Sequence, residues 1–252
     1  MRICTISDIH GHLPSIDPCD ILVIAGDICG HVPAEKVYRF GVPCFIRHPV
    51  GQVDDIKHQA KELNGQLRNW LDTIPAKDVV AVPGNHDFIF EKAPNMVPTD
   101  LRWHLLIDDV KMVQGKKFYG SPYQHYFGGW AYNAPSRDSG EGEDFLTRKF
   151  SMIPDDTDII IVHGPPYGFG DKAPRSNGNG DLTGGWELTG STGLTEAIKR
   201  VKPQLSVHGH IHMGRGKWEI DRGNASPGYI VNASICNEQN QPTRRPMYFD
   251  ID

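Results

Sequence analysis

Nothing in this 252-residue chain approaches the roughly 20 consecutive apolar residues that cross a bilayer. The opening residues, Met1-Arg2-Ile3-Cys4-Thr5-Ile6-Ser7-Asp8, turn polar too soon for a signal peptide. A role in or on a membrane is therefore not expected. Basic charge is also in short supply. Lys and Arg number 26 against 31 Asp and Glu, a net charge of −5. That balance argues against a broad basic face for extended nucleic acid and leaves room for a local basic pocket. Cysteine is scarce too: five residues, an odd number, with no Cys-x-x-Cys pair. A disulfide framework is not expected for a chain of this size, and reduced thiols in a cytoplasmic setting are the simpler reading. Internal repeats and a domain boundary are likewise missing, so one domain over residues 1–252 is the expectation.

The patterns that are present alternate strand and helix. Short apolar runs such as Ile21-Leu22-Val23-Ile24-Ala25, Val79-Val80-Ala81-Val82 and Ile159-Ile160-Ile161-Val162 have strand length and suit strands covered on both faces. Val53, Ile56, Ala60, Leu63, Leu67, Trp70, Leu71 and Ile74 recur at helical spacing, and Pro75 closes that helix. Leu194, Ala197, Ile198 and Val201 mark a shorter helix, with Ser191 or Thr192 as its cap. Residues 30–50 and 164–190, rich in Pro or in Gly and Pro, read as irregular segments. The alternation implies an α/β sheet protein.

Chemistry sits where the strands stop. Asp8-Ile9-His10, Gly26-Asp27, Gly84-Asn85-His86-Asp87, His163-Gly164 and Gly209-His210-Ile211-His212 each follow an apolar run. In open α/β sheets, ligands bind beyond the carboxyl ends of the strands. Asp8, His10, Asp27, Asn85, His163, His210 and His212 would then converge. Alone, most of these motifs read more simply as turns or caps. Five of them in this order make a metal site. Carboxylates, an amide oxygen and imidazoles suit Mn²⁺, Fe, Zn²⁺ or Co²⁺ better than Ca²⁺. A carboxylate has two oxygens, so Asp27 can bridge two ions, and paired ions can activate a bridging hydroxide. His86, beside Asn85, is the candidate general acid or phosphate-charge stabiliser, with Asp87 as the candidate to orient its ring. Cys29, two residues past Asp27, reads as a small buried residue rather than a soft ligand.

Together these five motifs resemble the signature of calcineurin-like metallophosphoesterases. Trp70-Leu71, Gly128-Gly129-Trp130 with Asn133, His163-Gly164-Pro165-Pro166, Gly168-Phe169 and Val231-Asn232-Ala233-Ser234 are similar to the metallophosphoesterase-domain-containing (MPPED-like) branch. The resemblance implies a four-layer α/β/β/α sandwich of two mixed sheets flanked by helices. It implies one metal held by Asp8, His10, Asp27 and His212 and a second by Asp27, Asn85, His163 and His210, with Mn²⁺ as the first expectation. It implies His86 as the acid and small phosphodiesters as substrates, cyclic nucleotides and the 2′,3′-cyclic ones foremost. A homo-oligomer is left open.

Two departures refine this. Some members of the branch lack the first His of Gly-His-x-His, whereas His210 is present here, so activity is expected. The Asp-Arg-Gly of protein phosphatases is absent, since Gly26-Asp27 is followed by Ile28-Cys29-Gly30-His31. That points away from phosphoproteins. Tyr123, Tyr126, Phe127, Trp130, Tyr132, Tyr167 and Phe169 can stack on a nucleobase, although core or loop packing is the plainer reading for most. Tyr167 and Phe169, just past a ligand, are the better candidates. A nuclease, a phosphomonoesterase and a non-catalytic interaction module on the same fold are the competing readings.

Overall fold

The structure is a computed structural model that describes residues 1–39, 42–46, 49–136, 139–176 and 182–252. Its strands are β1 (Arg2–Ile6), β2 (Cys19–Ala25), β3 (Glu35–Arg39), β4 (Val42–Ile46), β5 (Ala76–Val82), β6 (His104–Leu105), β7 (Asp109–Val113), β8 (Lys116–Ser121), β9 (Ile159–Val162), β10 (Lys172–Ser176), β11 (Leu182–Leu188), β12 (Leu205–His208), β13 (Gly216–Ile220), β14 (Gly228–Asn232) and β15 (Met247–Asp250). Its α-helices are α1 (Val53–Glu62), α2 (Arg68–Thr73), α3 (Phe88–Lys92), α4 (Gly142–Ser151) and α5 (Thr192–Val201). One large sheet has the order β15-β1-β2-β5-β6, the other β13-β14-β12-β9-β8-β7. Both are mixed: parallel at their centres, with antiparallel β15, β13 and β7 at or beside the edges.

The alternation of side chains along each strand builds the layers. In β2, Leu22 and Ile24 pack with Leu63, Leu67, Leu71 and Phe88 on the outer face. Ile21, Val23 and Ala25 pack inward with Ile159, Ile161, Leu205 and Val207 of the second sheet. In β9, Ile160 and Val162 face outward to Leu146 and Phe150 of α4 and Leu194 and Ile198 of α5. Three apolar cores thus separate four layers, α/β/β/α, and the continuous apolar runs are what doubly covered strands require. Truncating Ile161, fully buried between the sheets, to alanine should cost about 2–5 kcal/mol.

Several elements differ from the sequence expectation. Within residues 30–50, β3 and β4 form an antiparallel hairpin, with Tyr38 opposite Pro43. Pro43 is tolerated because a two-stranded ribbon has two free edges and needs no second ladder bond there. The segment 164–190 likewise contains the β10–β11 hairpin, with a register shift between Pro174 and Ser176; residues 177–181 lie outside the described residues. The long helix expected before Pro75 is α1 and α2 joined by a π-helical stretch, Leu63–Leu67, around Gly65. Val53, expected on its apolar stripe, is exposed at its first turn. Helix α4 escaped periodicity reading, yet it has Glu143 and Asp144 in its first turn and Arg148 and Lys149 in its last, as the helix dipole favours. Among the described residues, no helix is long and apolar enough to cross a membrane.

Candidate metal centre

Asp8, Asp27, Asn85, His163 and His210 sit just beyond β1, β2, β5, β9 and β12. Within each sheet these strands run parallel, so their carboxyl ends point the same way. The two sheets meet at that end. Ser7 pairs with Ser234, Ser7 N donating to Ala233 O at 3.0 Å and Ile235 N to Ser7 O at 3.0 Å.

The chain then turns sharply. Asp8, His10, Asp27 and His210 have φ of 54°, 43°, 52° and 66°. A left-handed conformation costs a residue with a Cβ about 1–2 kcal/mol, and such strain gathers at functional sites. Two glycines make the close approaches possible. A Cβ on Gly84 would lie 2.3 Å from Asp27 N and Oδ1, and one on Gly209 would lie 2.2 Å from Asp8 Oδ2.

All seven expected ligands come together. Asn85 Oδ1 lies 2.9 Å from His163 Nε2 and 2.7 Å from His210 Nδ1. On the other side, His212 Nε2 lies 3.3 Å from Asp8 Oδ1 and 3.3 Å from His10 Nε2. Asp27 stands between: Oδ1 is 3.4 Å from His163 Nε2, and Oδ2 is 3.9 Å from His10 Nε2. Three sets have donor atoms within 4.8 Å of one another: Asp8, His10 and His212; His10, Asp27 and His86; Asp8, Asp27 and His163.

The protonation pattern fits divalent cations. His163 Nδ1 faces Ala25 O at 2.9 Å and His212 Nδ1 faces Asn237 O at 2.7 Å. A carbonyl only accepts, so each Nδ1 carries the proton and each Nε2 is bare in the neutral ring. Those bare nitrogens face other acceptors, Asn85 and Asp27 for His163 and Asp8 for His212. Acceptors facing acceptors need a cation between them, either an extra proton or a metal. Without metal the protein recruits protons. Burial opposes charge on His163, but Asp27 and Asp8 raise it to about 9. Burial opposes charge on His212 too, and its bond to Asp8 outweighs this, again to about 9. Burial pushes His10 and His210 down to about 4, keeping both as neutral imidazoles, the form that could ligate a metal. Burial also works against the Asp8 and Asp27 charges, yet the imidazoles hold both below the usual carboxylate range.

Neighbouring side chains fix the ligands. His210 N donates to Asp8 Oδ1 at 3.0 Å, and Ser234 Oγ donates to Asp8 Oδ2 at 2.6 Å. Asn232 Nδ2 donates to Ile211 O at 2.9 Å. The stretch Val231-Asn232-Ala233-Ser234 thus braces the centre from the end of β14.

His86 lies beside the ligands, with Nε2 3.9 Å from Asp27 Oδ2. Its expected partner, Asp87, does not orient it. Fully buried, Asp87 accepts from Ile28 N at 2.9 Å, Cys29 N at 2.7 Å and Gly84 N at 2.7 Å. Its carboxylate therefore clamps the loop after Asp27 to the turn carrying Asn85. Burial first, and the Asp27 charge second, raise its pKa to about 7. His86 is instead held by His31 and Gln59, which the sequence reading left without a role, and by Trp130, which it offered only as a base-stacking or packing aromatic. His31 Nε2 lies 2.6 Å from His86 Nδ1, and the Trp130 ring lies against the imidazole, centroids 4.0 Å apart and tilted by 31°. Gln59 Nε2 donates to His86 O at 2.7 Å. A signal for the α1 contribution was available: Asp55, Gln59 and Glu62 recur at i, i+4, i+7, a polar stripe on a packed helix. Cys29 is buried in the core, and burial raises its thiol well above the usual range.

A cavity of about 240 Å³ opens over the centre, lined by Asp27, Asn85, His86, Phe127, Ala173, Pro174, His210, Ile211, His212, Met213 and Glu238. Phe127, half exposed, meets His210 edge-on at 6.3 Å. Tyr167 and Phe169, the favoured base-stacking pair, are not in this lining; Phe169 packs on Trp218 at 6.0 Å. Tyr123 packs edge-on against Tyr132 at 5.7 Å, as core packing predicts.

The family model for calcineurin-like phosphoesterases matches residues 1–214. The chain is 28% identical over 211 residues to human "Metallophosphoesterase domain-containing protein 1", covering 74% of this chain and 59% of that protein. It thus spans about three fifths of the length of that relative. It is 27% identical over 273 residues to the Caenorhabditis elegans "UPF0046 protein C25E10.12", covering 100% of this chain and 81% of the relative. Among solved structures, the Thermus thermophilus protein TT1561 aligns with 92% of this chain and 88% of its own, at a TM-score of 0.48 and 14% identity.

Proposed function

The chain belongs to the calcineurin-like phosphoesterase family, and on that premise we propose that it is a dinuclear metal-dependent phosphodiesterase of small phosphodiesters, 2′,3′-cyclic nucleotides foremost. One observation carries the reading: Asp27 directs Oδ1 toward His163 and Oδ2 toward His10, with a full donor set on each side. Asp8, His10, Asp27 and His212 would hold one cation; Asp27, Asn85, His163 and His210 would hold the other. Two such cations, Mn²⁺ by preference or Fe, Zn²⁺ or Co²⁺, supply Lewis acidity toward the phosphate and lower the pKa of bound water.

The chain's own residues do the rest. His86 lines the cavity, with Nε2 3.9 Å from Asp27 Oδ2; burial holds its pKa well below the usual histidine range, so once protonated it readily gives its proton to the leaving oxygen. Trp130 covers one face of that ring and limits its motion. Phe127 offers an apolar face at the cavity mouth on which a base can stack. Glu238 in the lining, 3.9 Å from Arg244, works against a second phosphate charge. That favours a singly charged diester over a dianionic monoester or a long polyanion.

The test is a Mn²⁺-loaded substrate panel: bis-p-nitrophenyl phosphate, 2′,3′- and 3′,5′-cyclic nucleotides, nucleoside monophosphates and single-stranded RNA. Turnover of the diesters ahead of the monoesters and RNA supports the reading. Faster cleavage of RNA would support a nuclease, and no turnover with any divalent metal would support a non-catalytic module.

A further inference from the structure

Three side chains form a line that ends at the cavity. Asp55, 1% exposed on the buried side of α1, places its carboxylate 2.9 Å from His31 Nδ1. Gly51 N and Val32 N donate to the same carboxylate at 2.7 and 3.2 Å. His31 Nε2 then reaches His86 Nδ1 at 2.6 Å. We infer that His31 and Asp55 are positioning residues that fix the orientation and tautomer of His86. The inference rests on the reading of His86 as the general acid.

Donor and acceptor roles follow from the chain end. A carboxylate only accepts, so His31 Nδ1 carries a hydrogen and its Nε2 is a lone pair in the neutral ring. That lone pair accepts from His86 Nδ1–H. The neutral His86 is then bare at Nε2, which lies 3.9 Å from Asp27 Oδ2; His86 is one of the residues lining the cavity. Adding a proton makes the imidazolium, with the new hydrogen on Nε2. As the phosphorus–oxygen bond breaks, its electron pair goes to the leaving oxygen, and the Nε2 proton follows. His86 ends as the neutral Nδ1–H tautomer, while His31 keeps its Nδ1 hydrogen and Asp55 stays an unprotonated carboxylate throughout. The ring is also confined by Trp130, tilted against it at 4.0 Å, and by His10 edge-on at 4.6 Å, so the tautomer is the freedom left to control. A second residue that sets the tautomer of an acting imidazole is a general catalytic device.

The experiment compares His31→Ala, Asp55→Asn and His86→Ala in the full chain loaded with Mn²⁺. Two substrates are used, bis-p-nitrophenyl phosphate and a 2′,3′-cyclic nucleotide. Nitrophenolate leaves without help, whereas a ribose oxygen needs its proton. All three variants should lose kcat on the cyclic nucleotide, about 10–100-fold for the positioning pair and about 100-fold or more for His86→Ala. They should keep KM, and each should lose less on the nitrophenyl diester than on the cyclic nucleotide. Independently of turnover, ¹⁵N-histidine NMR of the metal-free protein should show His86 as the Nδ1–H tautomer in wild type and as a tautomer mixture in both positioning variants. If His86→Ala shows no dependence on the leaving group, the acid reading itself falls. If His86→Ala behaves as expected while His31→Ala and Asp55→Asn keep the wild-type rate and tautomer, only the positioning inference is overturned. A parallel loss on both substrates with an unchanged tautomer also overturns it, because that is the mark of a structural role. Should His31→Ala fail to fold, the near-isosteric Asp55→Asn carries the same readouts.

Discussion

Ser234 Oγ donates to Asp8 Oδ2 at 2.6 Å, tying the end of β14 in one sheet to the end of β1 in the other. A carboxylate held in this way presents a fixed oxygen to His212. Ser234→Ala should weaken binding of the cation on the Asp8 side by about 10–100-fold. Calorimetric titration with Mn²⁺ checks this; the variant should recover most of its turnover at saturating metal.

Gly209 and Gly84 are expected to tolerate no side chain. A Cβ on Gly209 would fall 1.9 Å from Ser7 Oγ, and one on Gly84 would fall 2.3 Å from the Asp27 backbone nitrogen. Neither contact is with the far end of a flexible chain. Gly84→Ala and Gly209→Ala should lose roughly 1–3 kcal/mol of stability and bind less metal. Urea denaturation together with metal analysis measures both.

Much of this candidate centre was legible in the sequence, because each motif begins where an apolar run stops and a strand end leaves few directions for the next side chain. Asp8, Asp27, Asn85, His163 and His210 could be placed for that reason. The partners of His86 could not. Asp87 adjoins it in the chain, but a residue in the tight turn after Asn85 need not face its neighbour, and its carboxylate turns to the Ile28, Cys29 and Gly84 amides. His31 and Asp55 reach His86 only through tertiary packing of α1 against the loop after β2. The layers followed from doubly buried runs such as those of β2 and β9. The β3–β4 and β10–β11 hairpins did not, since two-stranded ribbons lack the apolar alternation of a covered sheet.

Glu143 links α4 to the start of α5. Its Oε1 accepts from Gly193 N at 2.7 Å, Ser191 Oγ at 2.9 Å and Thr192 Oγ1 at 3.0 Å, and His125 Nε2 lies 2.8 Å from Oε2. Burial raises the Glu143 pKa, but the His125 bond and these donors bring it down from 4.5 to about 2. A depressed folded-state pKa contributes stability that is complete above about 4.5 and lost as the pH falls toward about 2. Glu143→Gln should therefore lower stability at pH 7 by about 1 kcal/mol and by little at pH 2. Denaturation midpoints of wild type and variant across that range provide the check.

Asp87→Asn should leave the His86 ring in place and loosen the loop after Asp27. An amide keeps one acceptor oxygen but presents a donor to amides that already donate. The expected cost is roughly 1–3 kcal/mol of stability, with the dependence on the leaving group unchanged. An unfolding series paired with the two-substrate comparison separates this from an acid–base role.

The most direct test of the central claim is metal content. Wild type, loaded with Mn²⁺ and freed of excess by gel filtration, should carry two ions per chain. Asp27→Ala should carry close to none, because its two oxygens face the donor sets of both sites. His86→Ala should keep both ions. An Asp27→Ala protein that folds and retains two tightly bound ions would contradict the shared-carboxylate centre.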